Sequence, residues 1–269
     1  MLTKKKELGL QMYLEGQSLS SISKQIGINR LTLTNYLKKS GLTIINPSKK
    51  YEYNKSYFSI INSEEKAYWL GFIYADGCIN VIKAKNGQVK SMNLEITLKE
   101  SDREHLVKFA KSLNAPEDLV KSKIVKLNGK SIQTYRIVVC STEMCRDLIA
   151  LGATPRKSLK LKFPKNLPSN LIRHFIRGYF DGDGCINTSN NRKRISLLGT
   201  KEFLQDVQLY FSDMGVTCTK ISHGNCGKSY YFEKSGLQVI NILNYLYKDS
   251  SIYLDRKYKK AIAVLTQSR

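Results

Sequence analysis

Gly71-Phe72-Ile73-Tyr74-Ala75-Asp76-Gly77-Cys78-Ile79-Asn80 and Gly178-Tyr179-Phe180-Asp181-Gly182-Asp183-Gly184-Cys185-Ile186-Asn187 are near-copies of one segment. In each, an apolar run ends in a carboxylate followed at once by glycine, as in a buried helix stopped beside an acid. Ahead of the first copy, Ser63-Glu64-Glu65 offers an N-cap with acids in the first turn. Gly77 stands where a left-handed stop is expected, so residues 64–76 are predicted helical. In the second copy Ser169 is the expected cap, Leu171 to Phe180 carries the apolar positions, and Gly184 supplies the stop.

Small residues recur four apart, Gly71 and Ala75 in one run and Gly178 and Gly182 in the other. They let two helix backbones approach more closely than the usual 8–10 Å or so. Placed face to face, the two helices bring Asp76 and Asp183 together. Two carboxylates at close range repel, and in a nearly dry site one holds a proton unless a cation neutralises the pair. Oxygen ligation from two acids suits Mg²⁺ better than zinc. An Asp-Gly pair alone is an ordinary helix-stop turn, but two in matched contexts favour a shared site.

The runs Trp69 to Gly77 and Ile176 to Gly184 resemble the LAGLIDADG motif of homing endonucleases, a resemblance that spans roughly residues 55–265. It implies that the last Asp of each motif, Asp76 and Asp183, is a metal-binding catalytic acid, with Gly77 and Gly184 beside them as further metal-ligand candidates. The first Asp of the motif is matched by Asp181, whereas Tyr74 replaces it in the first copy. The resemblance further implies a double-strand DNA endonuclease using Mg²⁺ (or Mn²⁺). It would have a long, sparsely occurring site, leave 3′ overhangs, and copy its own gene into an allele that lacks it.

Composition agrees independently. Forty-four Lys plus Arg against 22 Asp plus Glu give a net charge of +22, which points to a polyanionic partner. Arg156, Lys157, Lys160, Lys162 and Lys165 crowd one stretch without an acid, and Arg256-Lys257-Tyr258-Lys259-Lys260 lies near the chain's end. With so large an excess, several of these are expected to track phosphates, making affinity fall steeply with salt. No stretch approaches the roughly 18 apolar residues of a membrane span, and Lys4-Lys5-Lys6 is not followed by a signal-peptide core. The expectation is a soluble, intracellular protein, in the cytoplasm of a bacterial or phage-infected cell or in an organelle, without membrane contact. The six cysteines form no C-x-x-C pair and are expected to be reduced and buried. Cys218, His223 and Cys226 lack a fourth partner for zinc.

The chain is expected to divide near residue 45, with a small domain at 1–45, a linker at 46–62, and two halves at 63–153 and 154–269. Lys5 to Glu15, Ser18 to Gly27 and a third helix capped by Asn29 read as three helices, with Leu33 and Leu37 facing inward. They resemble the helix-turn-helix of resolvase and invertase recombinases. Asn29, Arg30, Thr32, Thr34, Asn35 and Lys38 would then project towards the major groove and its phosphates. Nine basic side chains against two acidic in residues 1–50 favour that reading over a solvated helical domain.

The predicted fold class is α+β, with two pseudo-symmetric αββαββα halves forming a saddle of antiparallel sheets, plus the three-helix domain. In the first half, strand is expected over Met92–Leu98, helix over Ser101–Leu113, a hairpin of Lys123–Leu127 and Gln133–Cys140 around Asn128-Gly129, and helix over Thr142–Leu151. In the second, the order is Arg194–Leu198, helix Thr200–Met214, strands Thr217–Ser222 and Ser229–Glu233, then helix Leu237–Tyr247. Ile96-Thr97-Leu98 and Ile195-Ser196-Leu197 are aligned as equivalents.

The open sheet faces are expected to meet DNA through Lys83, Lys85, Lys90, Asn93 and Glu95 in one half and Arg192, Lys193, Arg194 and Ser196 in the other, with Arg156 and Lys157 from the basic stretch. One residue of register error exchanges the faces. Two acids would hold two divalent ions, or two flanking one shared between them, each activating water against a phosphate. Lys99 and Lys234 are the candidate basic groups beside the two centres. A single chain with both motifs is expected to act as a monomer. An intein setting is not expected, because the chain starts with Met1 and lacks a terminal His-Asn pair. Two other functions share these features, a cleavage-inactive DNA-binding regulator and an RNA-binding maturase for intron splicing.

Overall fold

The computed structural model describes residues 2–44, 51–127, 129–189, 192–224 and 229–267. Pro47, Asn128 of the expected hairpin turn and Cys226 lie outside the described residues. Two compact units are present, Met1–Tyr51 and Glu52–Arg269. The linker expected over 46–62 is therefore corrected: from Glu52 the chain belongs to the larger unit, where Tyr57, Phe58 and Ile61 are buried and the Asn54 amide donates to the Leu113 carbonyl at 2.8 Å.

The smaller unit holds α1 (Leu2–Leu14), α2 (Leu19–Ile26) and α3 (Arg30–Lys39). Ser18 caps α2 by accepting from the Ser21 amide, and Gly27 ends it at φ +64°. Asn29 caps α3 by accepting from the Leu31 amide at 2.8 Å. Ile22, Leu33 and Leu37 form a sealed core. In α1 Gly9 is buried, where a Cβ would lie 2.7 Å from Leu33 Cδ1, Leu10, Met12 and Tyr13 pack partly buried against the core, and Leu8 and Leu14 are exposed.

The larger unit is built around α4 (Glu64–Asp76) and α7 (Ile172–Asp183). Every residue from Ala67 to Tyr74 is buried, the signature of a helix surrounded by protein. Ser63 caps α4. Ser169 does not cap α7; a short 3₁₀ turn at Ser169–Leu171 leads into it and no side chain caps its first turn. Between and after these helices run β1 (Gly77–Lys83), β2 (Val89–Lys99), α5 (Arg103–Ser112), β3 (Val120–Leu127), β4 (Lys130–Val139) and α6 (Thr142–Ala150), then β5 (Gly184–Asn187), β6 (Arg194–Gly199), α8 (Lys201–Ser212), β7 (Ser222–His223), β8 (Tyr230–Ser235), α9 (Leu237–Tyr247) and α10 (Asp255–Thr266). The two antiparallel sheets share one strand order, β1-β2-β4-β3 and β5-β6-β8-β7. The fold is thus α+β with a duplicated αββαββα unit, and the basic run at Arg256–Lys260 is the first part of an additional helix, α10.

Several expectations shift. Gly77 faces Ile96 and Gly184 faces Leu197, so the equivalent of Ile96 is Leu197, two residues on from the aligned Ile195. An offset of two preserves the face, which is why the apolar pattern did not reveal it. The strand expected over Thr217–Ser222 is confined to Ser222–His223. Of the cysteines, Cys145 is buried, whereas Cys78, Cys140, Cys185 and Cys218 are exposed. Cys78 and Cys185 follow Asp-Gly directly, and strand alternation turns them outward.

Candidate active site

The two motif helices touch through their glycines. A Cβ at Gly71 would lie 1.9 Å from the Phe175 carbonyl oxygen, and one at Gly178 would lie 1.9 Å from that of Tyr68. The contact is reciprocal, backbone against backbone. One turn further on, a Cβ at Gly182 would stand 2.2 Å from the Ala75 Cβ and 3.3 Å from Asp76 Oδ2. Small side chains therefore carry both carboxylates to the same end of one helix pair.

Gly77 and Gly184 are not left-handed stops. Their φ values of −75° and −83° are extended, and each begins a strand. What they require is clearance, since a Cβ at Gly77 would meet the Ile73 carbonyl oxygen at 2.7 Å and one at Gly184 the Phe180 carbonyl oxygen at 2.5 Å. Any side chain there would push the strand off the end of its helix and displace the preceding aspartate.

The carboxylates feel their surroundings and each other. Asp76 is exposed at the end of its helix. Desolvation, then the charge of Asp183, push it up to about 6 against the pull of Lys257 and Lys157. Asp183 is also raised by burial, offset by Lys157, the neighbouring Tyr179 hydroxyl, which itself donates to the Leu198 carbonyl at 2.9 Å, and Lys257. A cavity of about 210 Å³ lined by Ala75, Lys157, Tyr179, Asp183 and Ser229 opens beside them.

Two lysines close the site, and they are not Lys99 and Lys234. Lys157 Nζ donates to the Gly77 carbonyl. Lys257 Nζ donates to the carbonyls of Phe180 at 2.6 Å, Gly182 at 3.3 Å and Gly184. Each thus sits on the carbonyl that follows a motif aspartate. Burial lowers both, Lys257 to about 8, while the aspartates pull them back up. Lys157 enters from a 3₁₀ turn behind Arg156, which is exposed and held at φ +55°. Lys257 stands on α10 and is 4% exposed. Lys99 is an exposed strand end with no contact to either aspartate among the described bonds. Lys234 lies on the inner face of β8, is 3% exposed and donates to the Thr217 carbonyl. Its strand parity with buried Phe232 was the signal available in the sequence.

The paired-acid motif has an asymmetric second position. Asp181, wholly buried, accepts from Tyr68 OH at 2.7 Å, Tyr247 OH at 2.6 Å and the Leu254 amide at 2.7 Å. At the equivalent place Tyr74 OH donates to the Leu151 carbonyl, and the next residue, Gly152, takes φ +100° with no room for a Cβ beneath that hydroxyl.

On the outer face of the first sheet stand Cys78, Asn80, Asn93, Glu95, Thr97, Lys121, Lys123 and Arg136, none of them buried. Glu95 pairs with Lys123 at 3.1 Å and Arg136 at 3.7 Å, and Asn80 donates to Asn93 at 3.0 Å. Of the expected contacts, Asn93 and Glu95 are on this face. Lys90 has the opposite parity at an exposed strand end, Lys83 follows a bulge after Ile82, and Lys85 lies in the β1–β2 turn. The outer face of the second sheet carries Cys185, Asn187, Arg194 and Ser196, with Arg194 paired to Glu233 at 3.3 Å. Lys193 points the other way, towards the Val264 carbonyl at 3.4 Å, and Arg192 is exposed in the preceding loop. Lys121, Lys123 and Arg136 come from the expected hairpin, whose pairing to β2 through β4 brings them onto this face. In the smaller unit Asn29 is engaged as a cap and Thr34 donates to the Arg30 carbonyl at 2.8 Å, whereas Arg30, Asn35 and Lys38 are exposed and Thr32 is half-buried.

Among the described residues no group of three or more His, Cys, Asp or Glu side chains is arranged to hold a metal, and no helix is long and apolar enough to cross a membrane. An oxygen-donor pair of carboxylates is what this site offers.

Comparison with known proteins gives two family matches, a LAGLIDADG endonuclease model over residues 69–151 and a LAGLIDADG-like domain model over 170–260. Relatives by sequence include a replication factor C small subunit of Methanocaldococcus jannaschii, 30% identical over 175 residues, and a probable translation initiation factor IF-2 of the same organism, 24% identical over 178 residues. These alignments take in 63% and 61% of this chain and 8% and 13% of those proteins. Similar solved structures include the LAGLIDADG meganuclease I-AabMI bound to uncleaved DNA (TM-score 0.47, 16% identity, 75% of this chain and 90% of that one) and the LAGLIDADG homing endonuclease I-LtrWI bound to target DNA (TM-score 0.46, 14% identity, 80% and 91%). The two family matches together cover more than half of the chain, one over each motif helix and the sheet that follows it, and the chain belongs to the LAGLIDADG endonuclease family, with both LAGLIDADG domains in one polypeptide.

Proposed function

We propose that this chain is a site-specific homing endonuclease that cuts both strands of DNA as a monomer, with Asp76 and Asp183 as the metal-binding acids of two strand-cutting centres. The observation that carries this reading is the carboxylate pair at the end of the glycine-packed helices, each followed by a carbonyl that receives a lysine. The donor set fits Mg²⁺ or Mn²⁺, hard cations that prefer oxygen. Asp76 held near 6 by burial and Asp183 is a strained pair that a cation relieves. When bound, such an ion polarises a phosphate oxygen and lowers the pKa of an attacking water. The protein's own part is to hold the two carboxylates together, Asp76 titrating near 6 and Asp183 raised by burial, and to keep two ammonium groups beside them. Lys157 and Lys257 would then shift from their glycine carbonyls to the charge that grows on the leaving oxygen.

The polar outer sheet faces and the +22 charge supply the DNA surface. We read the smaller unit as a helix-turn-helix that adds contacts through Arg30, Asn35 and Lys38, lengthening the site. The reading requires an intracellular, DNA-containing compartment. The test is incubation of the full chain with Mg²⁺ and supercoiled plasmid carrying its uninterrupted insertion locus. Linear DNA with defined ends is expected, and a plasmid left intact in both Mg²⁺ and Mn²⁺ would refute the proposal.

A further inference from the structure

The second motif carries a buried carboxylate to which the nuclease reading gives no role. Asp181 is wholly enclosed, and its two oxygens take three donors, Tyr247 OH on Oδ1 and both Tyr68 OH and the Leu254 amide on Oδ2. Leu254 is the residue that opens α10, and no side chain caps that helix. Three residues later comes Lys257, whose Nζ lies on the carbonyls of Phe180, Gly182 and Gly184. The carboxylate therefore fixes the start of the helix that delivers one lysine. Tyr258 stacks on Tyr253 with ring centroids 3.8 Å apart, and the ion pairs on this first turn are Asp102–Arg256 at 2.8 Å and Lys108–Asp255 at 2.7 Å. Both have a partly exposed partner, and such pairs hold position weakly compared with a charge-assisted bond in a dry interior.

Among the described residues no buried carboxylate serves the other centre in this way. Tyr74 spends its hydroxyl on Leu151, at the end of α6, and Lys157 arrives on a 3₁₀ turn entered through Arg156 in a left-handed conformation. Tyr68 belongs to the first half and Tyr247 to the second, so Asp181 gathers both halves onto the α10 anchor.

We propose that Asp181 is a positioning residue for Lys257, acting through the Leu254 amide, so that one of the two strand-cutting centres depends on it and the other does not. This rests on the nuclease reading above. Its consequence is an enzyme whose two strands are cut by differently supported machinery, one lysine anchored on a helix and one carried by a loop.

The test follows each strand of an end-labelled target duplex separately in the full chain. In Asp181→Leu, one strand is expected to be cut about tenfold to a hundredfold more slowly, the range that a displacement of about an ångström produces. That strand should be the one slowed by Lys257→Ala, and not the one slowed by Lys157→Ala. Asp181→Asn keeps an acceptor oxygen for the Leu254 amide and should lose clearly less than Asp181→Leu. Equal slowing of both strands, slowing of the Lys157 strand, or equal loss in the two variants would overturn the proposal. A second readout needs no cleavage: reductive methylation followed by mass spectrometry, in which Lys257 should become several-fold more reactive in Asp181→Leu while Lys157 keeps its wild-type rate. Unchanged Lys257 reactivity would refute the anchoring role. If the unsubstituted chain cuts neither strand, the nuclease reading falls, and the labelling still decides the positioning role.

Discussion

Tyr74 and Asp181 each stand three residues beyond the glycine through which their helices touch, and they solve the same placement in different ways. Around Gly71 and Gly178 the two halves are interchangeable, with a Cβ-to-carbonyl clearance of 1.9 Å in both directions. One turn later the likeness ends. The first half uses a phenol on a helix-end carbonyl, and the second a buried carboxylate with three donors. Where two helices must pack against each other, each constrains the other and symmetry is retained. Where Tyr74 and Asp181 meet the trailing segments, at Leu151 in one half and at Tyr247 and Leu254 in the other, the halves diverge.

The largest effect should come from the shared part. Gly71→Ala and Gly178→Ala each drive a methyl group into backbone that cannot move aside, and both should cost about 3 kcal/mol or more, or prevent folding. Denaturant unfolding that found one tolerated and the other not would break the pseudo-symmetry of the interface. The unlike positions should differ. Asp181→Leu leaves the Tyr247 phenol and the Leu254 amide without an acceptor, Tyr68 OH keeping His105 Nε2 at 3.0 Å, and is expected to cost about 3–5 kcal/mol, against about 1 kcal/mol for Tyr74→Phe, which strands a single carbonyl. Equal losses would mean that the two solutions are energetically the same.

The motif carboxylates add a pH dependence to stability. Asp76 is raised to about 6 in the folded chain, above an unfolded value near 4. The folded state therefore binds more protons, and its stability falls as pH rises from about 4 through 6. Metal-free Asp76→Asn should melt a few degrees higher than wild type at pH 8 and converge with it below about pH 4. Mg²⁺ should narrow that gap by stabilising only the aspartate form. A lower melting temperature for the variant at pH 8 would show that Asp76 is not strained. The smallest effect on chemistry should come from removing residues 1–45. The footprint should shorten and affinity fall, with the cutting rate at saturation within about threefold of wild type, since those contacts bind ground and transition states alike. An unchanged footprint would remove the smaller unit from the DNA surface.

Much of this was legible in the chain. The two motif helices, their glycines and the terminal aspartates follow from a repeated pattern whose two copies point to each other. The role of Gly77 and Gly184 did not follow, because glycine after a helix suggests a positive φ, and clearance from the helix's own last carbonyls becomes visible only once the strand direction is known. The offset between Ile195 and Leu197 was hidden by the period of two in a strand. In the sequence Lys157 is an expected DNA contact and Lys257 one member of a basic run, because their placement beside the aspartates depends on segments that fold back after α6 and α9. Their spacing just beyond the last helix of each half, near Ala150 and Tyr247, was the available signal.

Under the proposed function Asp76 and Asp183 do the cutting and are not needed for holding DNA. The most direct measurement is cleavage and binding of one target duplex by wild type, Asp76→Asn, Asp183→Asn and the double variant, in Mg²⁺ for cutting and by gel shift for affinity. Double-strand product should vanish in all three variants while the dissociation constant stays within about fivefold of wild type. Linear product from the double variant at the wild-type rate would contradict the account.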